Sequence, residues 1–365
     1  MTDSDQIIDA VITWVDGNDP EHRRKRLGVL SNPTAPNPET NTASGTIPTG
    51  NTASGTTPTD DTASGTISGT IPTGNDPTRF IDNNELYYCI QSIRTFAPWI
   101  RTIHVVTDNQ TPSFLTPETR KRLNVRIVDH TEIFASCEWA LPTFNSRTIE
   151  TALWRIPDLA PRFIYFNDDY VLTANVTPDD FFVDGKVVLR GKWNRMTRYG
   201  PVRMGLNNLA TFAARRLLGI TRSMTLLLQI RSAQLAGCTK RYFRTPHVPQ
   251  PVRTDTLRAF FEQHPSTFEQ NIRYRTRNIA QFNGIYLANH LEINNHNAVL
   301  EKAGDYLMLN GEQDPGFVLR RKLRKIAGGE VRFVCLHGME KFRQRDRERI
   351  LEVIRSKLRN SVDAV

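Results

Sequence analysis

A chain of 365 residues, 39% of them hydrophobic, has enough apolar surface for one large or two modest globular domains. It contains no run of about eighteen apolar residues, and its start, MTDSDQIIDA, is acidic and leads almost at once into an apolar stretch. Neither a membrane-spanning helix nor a signal peptide is therefore expected, and the protein is expected in the cytosol. The net charge of +9 gathers late, in LRRKLRKIAGG (Leu319 to Gly329) and KFRQRDRERILEVIRSKLRN (Lys341 to Asn360).

The first predicted element is QIIDAVITWVDG, a strand ending at Asp16. Between Asn41 and Gly74 the chain repeats itself as NTASGTIPTG, NTASGTTPTD and DTASGTISGTIPTG, rich in Thr, Gly, Ser and Pro and nearly free of large apolar groups. Such a segment cannot offset its ordering entropy, so residues 32–78 are expected to be a flexible insertion and a spacer. Because closure cost grows only logarithmically, at about one or two kcal/mol, residues 1–31 and 79–190 are expected to form one domain around it. DNNELYYCIQSIRTFAPW then places Leu86, Ile90, Ile93 and Phe96 on a helical period and stops before Pro98. TIHVVTD and VRIVD read as strands ending at Asp108 and Asp129, and FNSRTIETALWRI as a helix capped by Asn145 or Ser146. RFIYFND closes the series as a strand apolar on both faces.

Strands alternating with helices imply an α/β fold with a mostly parallel sheet flanked by helices. Residues 191–330, including NNLATFAARRLLG, read as a more helical second lobe completing the site, and 331–365 as a C-terminal strand and basic helix. In that helix Phe342, Ile350, Leu351, Ile354 and Leu358 share a face surrounded by Arg and Lys. The plain reading is a docked helix with a solvated basic side. The alternative is attraction to a phosphate-rich polymer, a lipid surface or a nucleic acid. Four cysteines, Cys89, Cys137, Cys238 and Cys335, lie far apart without a CxxC pair, which fits reduced, mostly buried thiols better than a zinc site or disulfides.

RFIYFNDDYVL sets Asp168 and Asp169 side by side at the end of a buried strand, where two carboxylates repel unless water or a cation compensates them. A solvated turn explains one such acid. Asp16, Asp108, Asp129 and the Asp168–Asp169 pair all fall at carboxyl ends of strands, where ligands of parallel sheets gather, and a cation or phosphate site explains them together. TPHVPQPV holds His247 in a rigid extended segment, and IRYRTRN spaces Arg273, Arg275 and Arg277 two apart, on one face if extended and on different faces if helical. A lone His is usually structural and an Arg cluster usually solvated, but anionic substrates need Arg and proton transfers often use His.

IDAVITWVDGNDPEH, FIDNNELYYCIQSIRTFAPWIRTIHVVTDNQTP, LPTFNSRTIETALWRIPDLAPRFIYFNDDYVL, HVPQPVRTDTL and RYRTR together resemble the Stealth family of sugar-1-phosphate transferases. That family includes bacterial capsular polysaccharide phosphotransferases and the catalytic subunit of the animal lysosomal-enzyme N-acetylglucosamine-1-phosphotransferase. Its fourth region usually reads Cys-x-Asn-Asp, whereas FVCLHGMEK carries His337 and Gly338 there. The resemblance implies a Rossmann-like (GT-A-like) sheet and transfer of a hexose 1-phosphate, of the N-acetylhexosamine class, from a UDP-sugar to a saccharide hydroxyl in capsule or exopolysaccharide synthesis, with release of UMP. It implies Mg2+ or Mn2+ on Asp168 and Asp169, with Asp16 helping to hold the ion or accepting the acceptor proton, His247 as general acid or base and Arg275 as the phosphate-binding arginine beside Arg273 and Arg277. It further implies substrate contacts at Trp14, Gly17, Asn18, Asn83, Asn84, Glu85, Asn145, Ser146, Glu150 and Asn167. For Asn83 and Asn145 plain helix capping is the competing reading. No nucleic-acid partner is expected. Peripheral contact with the inner membrane face or an anionic polymer through the basic C-terminus is. Two other classes suit the same residues: an ordinary glycosyltransferase releasing UDP, and a non-catalytic polyanion-binding module.

Overall fold

A computed structural model describes residues 7–31, 83–196, 225–278 and 280–362. The Asn41–Gly74 repeats and NNLATFAARRLLG lie outside these residues. The central sheet holds four parallel strands, β1 (Ile8–Thr13), β2 (Ile103–Thr107), β3 (Val125–Asp129) and β4 (Arg162–Asn167), joined at one edge by antiparallel β5 (Gln250–Arg253), in the order β3-β2-β1-β4-β5. Ala10 of β1 pairs with both Ile103 and Ile164. The edge position suits β5, because Pro251 has no amide hydrogen for a second neighbour.

Both faces of the sheet are buried, and alternation along each strand divides the core. Ile8, Ala10, Ile12, Ile103, Val105, Ile164 and Phe166 face helix Glu85–Phe96 through Leu86, Cys89, Ile90, Ile93 and Phe96. Val11, Val106, Phe163 and Tyr165 face the other way, against Ala152, Leu257, Phe261 and Ile285 from helices Ser146–Ala152, Thr254–Gln263 and Gly284–Asn294. The connection from β1 to β2 thus crosses one face and that from β3 to β4 the other, which makes the β1–β4 junction a topological switch point. At the opposite end of the sheet, buried Asp9 accepts from Arg101 Nε (2.8 Å) and Nη2 (2.6 Å), Thr102 N (3.1 Å) and Ala160 N (2.9 Å) and contacts His104 Nε2 at 3.1 Å. Burial pushes its carboxyl up, but these bonds outweigh it and hold it well below the ordinary carboxylate range.

A smaller sheet sets the third side of the site. Strand Tyr170–Leu172, two residues after β4, pairs antiparallel with Phe333–His337, which in turn pairs parallel with Tyr306–Asn310. Its register puts Cys335 opposite Tyr170, and Leu336 N donates to the Asp169 carbonyl at 2.8 Å. Helices Gly316–Ala327 and Gln344–Val362 close this layer through Leu319, Leu323, Ile326, Ile350 and Ile354. The apolar side of the last helix is therefore packed against the fold, and exposed Arg345 and Arg359 belong to its outer side.

Candidate active site

A cavity of about 380 Å³ opens at the carboxyl ends of β1 and β4, the place where parallel sheets gather ligands. At its floor Tyr165, inward on β4, shares a hydrogen bond with Thr13 Oγ1 (3.1 Å) and donates to Asn167 Oδ1 (2.6 Å), tying the two strand ends together. Asn167, Asp168 and Asp169 line the cavity just beyond. Asp169 Oδ2 receives the Cys335 thiol at 3.4 Å and lies 4.0 Å from His337 Nδ1, while Asp169 Oδ1 is buried without a hydrogen-bond partner. An orphaned carboxylate oxygen beside a second carboxylate fits a divalent cation. Asp168 and Asp169 are the residues that would hold one.

The opposite wall is helix Ser146–Ala152. Asn145 caps it, accepting from Arg147 N at 3.2 Å, and turns its amide toward Tyr274 O (2.8 Å), Thr276 O (2.9 Å) and Gln281 Oε1 (2.8 Å). Asn145 is fully buried and does not line the cavity; it anchors the arginine-bearing segment to the helix. Ser146 and Glu150 do line it. Burial raises the Glu150 carboxyl to about 7, against hydrogen bonds with Asn283, Ser146 and Tyr165 and the charge of Arg147. A proton held more tightly in the folded state stabilises it fully below the unfolded value of 4.5, and this stabilisation is lost as pH rises through about 7. The difference corresponds to roughly 3 kcal/mol. Glu150→Gln should therefore flatten the decline in stability between pH 5 and 8 measured by urea unfolding. An unchanged decline would mean that the carboxyl does not titrate there.

His247, half-buried after strand Arg241–Arg244, reaches the cavity with its ring 6.3 Å from that of His337. Burial lowers its pKa below the ordinary value; Asp169 opposes the shift, and His337 and Arg244 add to it. Of the three spaced arginines, Arg277 lines the cavity and donates to Ser146 Oγ at 2.8 Å. Arg273 is exposed at the end of helix Pro265–Ile272, and Arg275, at a bend, has a buried Nε without a partner while its carbonyl accepts from Phe144 N. The segment is neither helix nor strand, so the three share no face.

Trp14 and Glu85 line the cavity too. Glu85 also accepts from Asn83 N (2.6 Å) and Asn83 Nδ2 (3.0 Å), and Asn84 sits in the left-handed region at φ 66°. Asp16 caps its own turn, accepting from Asn18 N at 2.8 Å, and neither it nor Gly17 nor Asn18 is among the lining residues. The acids at the other strand ends separate as well. Asp108 pairs with Lys25 at 3.6 Å, and Asp129 caps helix His130–Ile133. The convergence expected of all the strand-end acids is realised for Asp168 and Asp169. Sequence reasoning missed Tyr165, hidden in an apolar run, and Asn283, Tyr286 and His130, which carry no local signal.

Sequence profiles of Stealth protein CR1, conserved region 1, and Stealth protein CR2, conserved region 2, match residues 8–32 and 79–189. An exopolysaccharide phosphotransferase of Streptomyces coelicolor is 38% identical over 176 residues, 48% of this chain and 23% of that protein. The capsular polysaccharide phosphotransferase LcbA of Neisseria meningitidis is 45% identical over 108 residues, 30% of this chain and 28% of that protein. The chain thus spans about a quarter of the length of these curated relatives. The solved structure of the galactosyltransferase LgtC with donor and acceptor sugar analogs aligns over 75% of this chain and 93% of that one, at 12% identity and a TM-score of 0.38. The two profile matches fall in order along the strands and helices that frame the cavity, β1, helix Glu85–Phe96, β2, β3, helix Ser146–Ala152 and β4, so this part of the chain carries conserved regions 1 and 2 of the Stealth proteins.

Proposed function

We propose that the protein transfers a hexose 1-phosphate, of the N-acetylhexosamine class, from a UDP-sugar to a saccharide hydroxyl, forming a phosphodiester and releasing UMP in capsule or exopolysaccharide synthesis. The observation that carries this reading is the convergence of Asp168, Asp169, His247 and Arg277 on one cavity at the carboxyl ends of β1 and β4. The two matched relatives, both named as polysaccharide phosphotransferases, support it.

The acceptor oxygen attacks the phosphorus that bears the sugar, and the bond from that phosphorus to the bridging oxygen breaks with its electron pair leaving on UMP. The sugar C1–oxygen bond is untouched. Negative charge grows on the equatorial oxygens and on the leaving group, so positioned cationic donors matter more than a covalent nucleophile. Arg277, steadied by Ser146, has further N–H donors for those oxygens, and Arg275 and Arg273 are secondary candidates on the same segment. His247, its pKa lowered so that the ring is neutral near pH 7, accepts the acceptor proton. Asp168 and Asp169 hold a divalent cation, Mg2+ or Mn2+ by the family resemblance, which when bound neutralises pyrophosphate charge. Trp14, Glu85, Ser146, Glu150 and Asn167 offer apolar and polar contacts to the nucleoside and sugar; Asp16, Gly17, Asn18, Asn83, Asn84 and Asn145 support the loops that carry them.

No described helix is long and apolar enough to cross a membrane. A cytoplasmic site, with the outer side of the last helix meeting an anionic polymer or the inner membrane face, completes the proposal. The test is phosphorus NMR with nucleotide chromatography after incubation with UDP-sugars, Mg2+ or Mn2+ and an oligosaccharide acceptor. UMP with a new phosphodiester resonance is the expected result. UDP without one would make the protein an ordinary glycosyltransferase.

A further inference from the structure

We propose that Asp169, Cys335 and His337 form a three-donor site selective for a borderline divalent transition ion of the Zn2+ or Co2+ kind over Mg2+. This departs from the Mg2+ or Mn2+ on Asp168 and Asp169 that the resemblance implies, because the donor set around Asp169 has softer chemistry; the ion's catalytic role rests on the proposed function, whereas its binding does not.

The three side chains each bring one ligand atom into a group whose members lie within 4.8 Å of one another. Cys335 Sγ is 3.4 Å and His337 Nδ1 4.0 Å from Asp169 Oδ2. A tetrahedral ion with bonds of about 2.0 to 2.3 Å sets its ligands roughly 3.3 to 3.8 Å apart, so modest movement of His337, which is half exposed, completes the set. The backbone already holds the other two in place. Cys335 stands opposite Tyr170 in the antiparallel pair, Leu336 N donates to the Asp169 carbonyl, and Cys335 and His337, two apart on one strand, project from the same face.

Asp169 Oδ1 supplies a second, independent observation, since it is buried with no hydrogen-bond partner. A neutral thiol donating to Oδ2 and an exposed imidazole would explain the cluster without an ion, yet a thiol is a weak donor and leaves Oδ1 unanswered. Asp169 and His337 line the cavity while Cys335 is fully buried, so an ion held by the three would keep its fourth position on the cavity side, as in a catalytic rather than a structural zinc site. Sulfur and imidazole nitrogen favour zinc and cobalt, whereas Mg2+ prefers an octahedron of oxygens. On binding, the Cys335 thiol proton leaves to solvent and the thiolate takes the ion. Widely spaced cysteines argued against a zinc site in the sequence; here one cysteine suffices because Asp169 comes from a strand end far away in the chain.

The experiment titrates the metal-stripped full chain with Co2+ without any sugar nucleotide and reads absorbance. A thiolate-to-cobalt charge-transfer band saturating at one ion per chain, displaced by Zn2+ but not by a hundredfold excess of Mg2+, is expected. Cys335→Ser should abolish the band. His337→Asn, at a half-exposed position that leaves the core intact, should weaken Co2+ binding at least tenfold and carries the test if the Cys335 variant does not fold. A band surviving Cys335→Ser, Co2+ affinity unchanged in His337→Asn, or displacement by Mg2+ would overturn the proposal. These outcomes do not depend on which nucleotide the enzyme releases, so either reading can fail alone.

Discussion

Asp169→Asn should abolish nucleotide release, by about 10³-fold or more, while leaving the folded state at least as stable as wild type. The carboxylate stands at the end of β4 beside Asp168, with one oxygen buried and unpartnered, so its charge is there for a ligand rather than for the fold. Asparagine keeps the shape and the backbone carbonyl that receives Leu336 N, and it removes the repulsion from Asp168. Chromatography of released nucleotide together with urea unfolding checks both halves. Wild-type turnover would remove Asp169 from the chemistry, and a marked loss of stability would make it structural. Chelation of divalent ions should silence the wild-type protein reversibly.

His247→Gln should cost 10²- to 10⁴-fold in turnover, the usual range for a lost general base, while UDP-sugar binding followed by calorimetry persists. Because burial lowers the pKa of this imidazole, the acid limb of the pH–rate profile should lie below the ordinary 6.5, with the rate rising as the ring loses its proton. The limb should vanish in His247→Gln and remain in Glu150→Gln. A limb that stays in His247→Gln would assign proton transfer to another group.

The parallel core was legible because its strands are buried on both faces and read as unbroken apolar runs, IDAVIT and RFIYFN among them. Asp168 and Asp169 were legible for the opposite reason, as charge where such a run stops. Long-range pairing was not legible. Nothing local says that Phe333–His337 lies against Tyr170–Leu172, so the place of Cys335 and His337 beside Asp169 emerges only with the fold. The arginines show the same limit on a shorter scale. Two-residue spacing gives a common face only in a regular strand, and the bend at Arg275 and Thr276 brings Arg277 into the cavity. Asn145 illustrates an unresolved tie: capping accounts for its carbonyl oxygen, but its amide group stitches two distant segments, which no capping preference foretells.

The antiparallel pairing of Tyr170–Leu172 with Phe333–His337 also orders events in time. On a ribosome, the strands β1 to β4 and their helices emerge long before the segment that completes the wall around Asp169. Contacts of such high sequence separation close an expensive loop and form late in folding. A nascent or incompletely folded chain can thus possess the β1–β4 half of the cavity while the face carrying Cys335 and His337 is still missing, and catalytic competence should lag behind sheet formation in refolding experiments.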